Sequence, residues 1–292
     1  MWLLDGVLQY QPVMFTRAFG QMLAESATGN PAVVAEPITW AARIIEHNPA
    51  PTNAAFATIQ VALGLGIAWR RTVRVTLAAS IVWSLAVWWF GEGLGGVLLG
   101  DASPFEAPGA VILYALLAVL LWPAATATRS ARRGRGSFVA QRPLGARAAR
   151  ALWLVLWGSL AYFTVLPANR APQGMHDMIT EMAAGEPPWL ASINRGAASL
   201  LADHGLASSV VVAVIFAAIA VGIFLPRPLV RVTVVAAVVV SLAICLVAQD
   251  LGAILAGGST DVNSGPLLAL IALAYWPLTV GEGPGLSQGA AR

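Results

Sequence analysis

Arg70-Arg71-Thr72-Val73-Arg74-Val75-Thr76 returns further along the chain as Arg227-Pro228-Leu229-Val230-Arg231-Val232-Thr233, an offset of 157 residues. At the same offset Ala79 meets Ala236 and Val82 meets Val239. Ser84-Leu85-Ala86 meets Ser241-Leu242-Ala243, and Leu94-Gly95 meets Leu251-Gly252. Leu98 and Gly100 meet Leu255 and Gly257, giving about fourteen identities in about thirty-one positions, well beyond chance even for apolar sequence. Upstream, Glu46-His47 falls on Asp203-His204. Downstream, after a three-residue deletion, Leu121-Trp122-Pro123 meets Tyr275-Trp276-Pro277. The pattern predicts a unit copied head to tail.

The unit belongs in lipid. Apolar residues make up 58% of the 292 and charged residues 11%, and mean hydropathy is +0.74. A soluble chain carries about 25% charged residues. One water-soluble core could not hide these side chains, so an integral membrane protein is expected. All 17 basic residues are Arg, which with the Ala, Gly and Pro richness reads as a GC-rich coding bias. Cys245 is the single cysteine, which excludes an internal disulfide or a CxxC relay and reads as a small buried hydrophobe. Met1-Trp2 opens straight into apolar residues without a basic n-region, so the first span is expected to be short.

A spanning helix needs about 20 apolar residues and at least about 17. Eight candidates are expected, at 1–12, 53–69, 73–91, 108–125, 150–167, 208–225, 229–248 and 265–281. The β-branched runs Val210–Leu225 and Val230–Val247 are read as helices, because an open sheet cannot satisfy its backbone in lipid. The fold class is therefore all-α and polytopic, two parallel four-helix bundles in tandem. The divisions are a first repeat at 1–125, an Arg-rich linker at 126–149, a second repeat at 150–281 and a tail at 282–292. Arg70, Arg71, Arg74, Arg227, Arg231 and the linker arginines fall on one face, which the positive-inside rule makes cytoplasmic, with both termini. The plasma membrane is the expected location. The opposite face holds most of the acids and two long loops, 13–52 and 168–207, each with an amphipathic stretch (37–46 and 189–201) suited to the outer leaflet surface or to capping the bundle. The basic linker reads as a membrane-facing connector, not as a nucleic-acid surface.

Three groups of residues could carry chemistry. Asp5 and Gln9 are four apart on one helix face, and Gln60 lies mid-span. Polar groups at membrane depth are costly unless they face a bundle interior, so these three are candidates for a lipophilic ligand site. Their repeat counterparts fall near Trp157, Ala161 and Ala217, which places any such site in the first half. Second, Gly91-Glu92-Gly93-Leu94-Gly95-Gly96 is matched by Ala248-Gln249-Asp250-Leu251-Gly252-Ala253, with Glu92 and Asp250 as candidates for the outer mouths of the bundles. It lacks the Lys and Ser/Thr of a phosphate loop, so nucleotide binding is rejected. Third, the acid–His neighbours Glu46-His47, Asp177 beside His176, and Asp203-His204 lack ligand spacing, and no metal centre is expected from them. The catalytic residues, if any, are unknown.

The stretch Leu3-Leu4-Asp5-Gly6-Val7-Leu8-Gln9, the Met14-Phe15 and Phe19 that follow, Asn30-Pro31, and Asn53 to Gly66 together resemble the DoxX/DoxD-type four-helix membrane proteins. Gln9 and Gln60 stand near positions where that family often shows Lys and Glu. The whole chain also resembles actinobacterial membrane proteins with a tandem arrangement. The resemblance implies a subunit of a redox-linked, quinone-associated assembly, with membrane lipids and other membrane or extracytoplasmic redox proteins as partners. The alternatives are a small-solute or lipid transporter and a non-catalytic scaffold.

Overall fold

The computed structural model describes residues 1–100, 102–106, 108–123 and 138–278. Among them the chain forms twelve α-helices and no strand. In the first half these are α1 (Trp2–Leu8), α2 (Arg17–Glu25), α3 (Ala32–His47), α4 (Pro49–Ala68), α5 (Val73–Phe90) and α6 (Ala110–Leu120). In the second they are α7 (Gln141–Thr164), α8 (Gly174–Met182), α9 (Pro188–Leu201), α10 (Gly205–Gly222), α11 (Arg227–Val247) and α12 (Ser264–Leu273). Pro49, Pro188 and Pro228 lie in the first turns of α4, α9 and α11, where a missing N–H costs nothing.

Four helices, α4, α5, α10 and α11, are long and apolar enough to cross a membrane. Val75, Val82, Val214 and Val232 on them are each more than 60% exposed. Such a surface suits lipid tails. The spans expected at 1–12, 108–125 and 265–281 are shorter: α1, α6 and α12 have seven, eleven and ten residues. Their ends explain this. Pro12 follows α1, Pro123 follows α6 and Pro277 follows α12, and each disfavours helix in the residue before it. Gly109, with φ of +100°, holds the start of α6 two residues past the expected 108, whereas α12 begins at Ser264, one residue ahead of the expected 265.

α7 begins inside the segment read as a linker: a first turn from Gln141 is broken at Gly145, with φ of +77°, and the helix then runs to Thr164. Phe138, Ala140 and Ala149 are buried, and the Ala140 N–H donates to the Ala274 carbonyl at 3.0 Å. Residues 126–137 of that linker and the tail at 282–292 lie outside the described residues. The amphipathic stretches of both long loops are helical, in α3 and α9, and α3 pairs with α2 as α9 pairs with α8. Trp40 and Trp189 are exposed on them.

α1 packs on α4 and α5 on α6; α7 packs on α10 and α11 on α12. α6 meets α12 between the halves, and one apolar core runs from Trp2 and Leu63 through Trp153 to Tyr275. After α5, Gly93 to Gly96 all take left-handed φ, between +54° and +68°. After α11, Asp250 to Ala253 do the same, between +47° and +78°. Ahead of each turn stands a capping side chain. The Glu92 carboxylate accepts from the Val111 N–H at 3.0 and 3.2 Å, and Gln249 Oε1 accepts from the Gly265 N–H at 2.9 Å. Both amides belong to the second residue of a short helix, where no intrahelical acceptor exists.

The loops beyond these turns cross to the opposite half. The Phe105 carbonyl accepts from Gln249 Nε2 at 2.5 Å and from Ser264 Oγ at 2.9 Å. The Ser259 carbonyl accepts from Gln11 Nε2 at 3.2 Å. Gly95 is what lets the first loop approach its turn: a Cβ there would strike the Pro108 carbonyl. Gly100 has a similar φ, +77°, but open space around it. Alanine at either position pays about 1–2 kcal/mol for the left-handed backbone. We expect Gly95→Ala to cost about 1–3 kcal/mol more than Gly100→Ala through the added clash, read as a larger fall in Tm of the detergent-solubilised chain. Equal falls would mean that the 108–109 approach bears no load.

Candidate functional site

Asp5, Gln9 and Gln60 come together. Asp5 sits in α1 with 1% of its surface exposed, Gln9 directly follows that helix, and Gln60 lies in the middle of α4. α1 crosses α4 closely because Gly6 faces Val61, where a Cβ would lie 2.7 Å from Val61 Cγ2. Asn53 Nδ2 ties the crossing by donating to the Gln9 carbonyl at 2.7 Å. All three polar side chains line a cavity of about 380 Å³, whose walls include Phe19, Phe56, Trp83 and Tyr114.

The Tyr114 O–H donates to Asp5 Oδ2 at 2.5 Å. The Trp2 ring lies against Tyr114 at a tilt of 37°, with ring centroids 4.2 Å apart, and donates its indole N–H to Ser80 Oγ at 2.8 Å. Asp5 Oδ1, Gln9 Oε1, Gln60 Oε1 and Trp83 Nε1 are buried with no hydrogen-bond partner among the described residues. Each such orphan costs about 1–3 kcal/mol. Four at one cavity point to an occupant with polar atoms.

Glu92 and Asp261 close the cavity at one end and also line a second recess of about 450 Å³ that reaches Glu106. Burial, with Asp261 beside it, pushes the Glu92 carboxyl up to about 8, against the opposing pull of the Val111 and Ala110 amides. Burial also raises Asp261, although it accepts from the Asn263 N–H at 2.6 Å. Among the described residues no group of three or more His, Cys, Asp or Glu side chains is placed to hold a metal ion. His176 pairs with Asp177 at 2.9 Å on the surface, while His47 and His204 contact nearby backbone carbonyls.

In the second half aromatic side chains occupy the equivalent point. A Cβ on Gly66 would strike Thr76, and one on Gly222 would strike Thr233, so those pairs mark equivalent points on α4 and α10. Counting back six residues from each glycine, Gln60 corresponds to Phe216, one position from the Ala217 expected from sequence. Phe216 and Trp157 are fully buried with ring centroids 5.9 Å apart, and Trp153 and Tyr275 extend the same aromatic block. Leu268 stands where the cap-to-cap spacing puts Tyr114.

Asp250 lies away from this cavity. The structure matches Glu92 with Gln249, its direct counterpart in sequence, because both side chains cap a helix; Asp250 is one residue on and fully buried beside α9. Tyr114, Trp83 and Asp261 went unread. The phenol of Tyr114 was a polar signal within an expected span, and Leu268 in its place marks the asymmetry. Asp261 reaches the first half only through the crossing loop.

Glu92 provides a pH test. Its native carboxyl holds a proton up to about pH 8, whereas an unfolded glutamate releases it near the ordinary 4.5. Native stability therefore falls as pH rises through this window. Glu92→Gln removes the titration and supplies the acceptor that Gln249 already offers to α12. We expect the variant to match the native chain near pH 5 and to melt several degrees higher at pH 8.5. A lower Tm at pH 8.5 would show that α6 needs the ionised carboxylate. Compared with protein-family models, with curated proteins and with solved structures, the chain matches none.

Proposed function

We propose that this chain is a multi-pass plasma-membrane protein that binds a lipophilic molecule with a hydrogen-bonding head, a quinone being the best fit, in the cavity of its first half. The observation that carries this reading is the set of orphaned polar atoms on Asp5, Gln9, Gln60 and Trp83 around one largely aromatic chamber. Its volume, about 380 Å³, lies within the range of small-molecule sites, about 300–1,000 Å³. A quinone ring suits the aromatic walls. Its carbonyl oxygens accept from the Gln60 NH2 group and the Trp83 indole N–H, in the quinol form its hydroxyls donate to the otherwise unpartnered oxygens of Asp5, Gln9 and Gln60, and the Asp5–Tyr114 pair offers a short path for a proton. The chain then serves as a subunit of a redox-linked assembly, as its likeness to DoxX/DoxD-type proteins suggests, with lipids and extracytoplasmic redox proteins as neighbours.

In this reading the two halves are copies of one unit in parallel orientation, with eight crossings and cytoplasmic termini. The recurring helix order, the paired left-handed turns and the paired caps support the duplication. The short helices α1, α6 and α12 then lie where the bilayer is locally thinned. Transport of a small solute or lipid is the second reading. It draws on the wall of Glu92 and Asp261 shared by both recesses, but the aromatic block in the second half opposes a path through each copy.

A short-tailed ubiquinone analogue titrated into the detergent-solubilised chain should quench tryptophan fluorescence saturably, since Trp2, Trp40 and Trp83 line the cavity. Gln60→Leu should weaken this binding about tenfold, the loss of one buried hydrogen bond to a ligand. Equal, unsaturable quenching in both proteins would remove the quinone reading.

A further inference from the structure

We propose that the turn after α11 holds a hard divalent cation, Ca²⁺ the best match, between Asp250, Glu186 and Asn194. This site is separate from the cavity and lies in the opposite half.

Asp250 opens the left-handed turn that follows α11 and has 0% of its surface exposed. Glu186, just ahead of the prolines that begin α9, is 9% exposed. Asn194 is 0% exposed and lies on the buried face of α9 with Leu190, Ala191 and Ala198, the helix that packs against α11 and the Asp250 turn. Both oxygens of Asp250, both of Glu186 and both amide atoms of Asn194 have no hydrogen-bond partner among the described residues. The chain at Gly185, next to Glu186, comes up against the end of the Asp250 turn, where a Cβ would lie 3.9 Å from Ala256 Cβ. Among the described residues no arginine forms an ion pair with either carboxylate. The one ion pair among the described residues is His176–Asp177, and the neighbouring Arg195 Nε donates to the Ala191 carbonyl.

Two buried carboxylates without a counter-charge are expensive, and a bound cation removes that cost. The donors are all oxygen, from carboxylates and a carboxamide, which selects Ca²⁺ or Mg²⁺ over the softer transition metals. Ca²⁺ tolerates irregular geometry with mixed carboxylate and carbonyl ligands, whereas Mg²⁺ demands a regular octahedron and keeps its waters. The first half shows what the fold needs without a cation. At the repeat offset, Gly93 replaces Asp250, Gly29 replaces Glu186 and Pro37 replaces Asn194, so all three oxygen donors are missing together. The contact itself is preserved: a Cβ on Gly93 would point at the Ser26 carbonyl, 2.6 Å away, in the α2–α3 connection equivalent to the one that carries Glu186.

The test uses the full chain in detergent, stripped with a chelator, and reads Tm against added Ca²⁺, with Mg²⁺ and choline at matched ionic strength. Ca²⁺ should raise Tm saturably and more than Mg²⁺. Asp250→Asn should melt higher than the native chain in chelator, because it relieves a buried repulsion, and should lose the Ca²⁺ increment. Glu186→Gln should weaken Ca²⁺ at least tenfold, followed by Tb³⁺ luminescence sensitised by tryptophan and displaced by Ca²⁺. Exposed Asp203→Asn should change neither reading. No Ca²⁺ shift in the native chain, or an undiminished shift in both site variants, would overturn the proposal.

Discussion

A short helix that starts in apolar surroundings must find acceptors for its first amides, and this requirement organises the whole chain. α6 and α12 are two such helices. In each case a side chain from the preceding turn supplies the acceptor, Glu92 for Val111 and Gln249 for Gly265. To present that side chain the backbone must reverse tightly, which explains the run of left-handed residues in both turns. The reversal sends the next loop across to the other half, where Phe105 accepts from Gln249 and Ser264, and Ser259 from Gln11. The same crossing brings Asp261 to the cavity of the first half. A local hydrogen-bond need thus fixes the contact between halves and the composition of the site.

The interiors of the two halves differ. Asp5, Gln60 and Tyr114 make the interior of the first half polar and leave room in it. Trp157, Phe216 and Leu268 fill the equivalent space in the second. Filling is the cheaper state, because buried orphan groups cost stability and close-packed aromatics return it. Under the function proposed above, the half with the polar chamber binds and the half with the aromatic block supports it. The second half carries its own polar expense at Asp250, Glu186 and Asn194, where the first has glycines and a proline.

Much of this was legible in the sequence, and the failures have physical causes. The long spans were readable because lipid demands continuous apolar runs. The trio Asp5, Gln9 and Gln60 stood out because polar groups are rare at such depth, and all three line one cavity. α3 and α9 announced themselves by apolar residues at helical spacing. Helix length in α6 and α12 was overestimated mainly at the C-terminal ends, at Leu120 and Leu273, since hydropathy does not register how Pro123 and Pro277 stop a helix ahead of them. The beginning of α7 was missed because Arg142, Arg147 and Arg150 masked the buried Phe138, Ala140 and Ala149. Asp261 could not have been assigned: its role depends on a contact across most of the chain. Gln249 was overlooked because a neutral amide beside Asp250 draws less attention than the charge, although the amide makes the bonds.

Hydrogen exchange of the chain in lipid nanodiscs, read by mass spectrometry at peptide resolution, tests the capping requirement most directly. Gln249→Leu should deprotect the first turn of α12 and the 102–106 loop that it anchors while leaving the start of α6 as slow to exchange as in the native chain. Unchanged protection at Ser264–Leu267, or loss spread evenly over both halves, would contradict it.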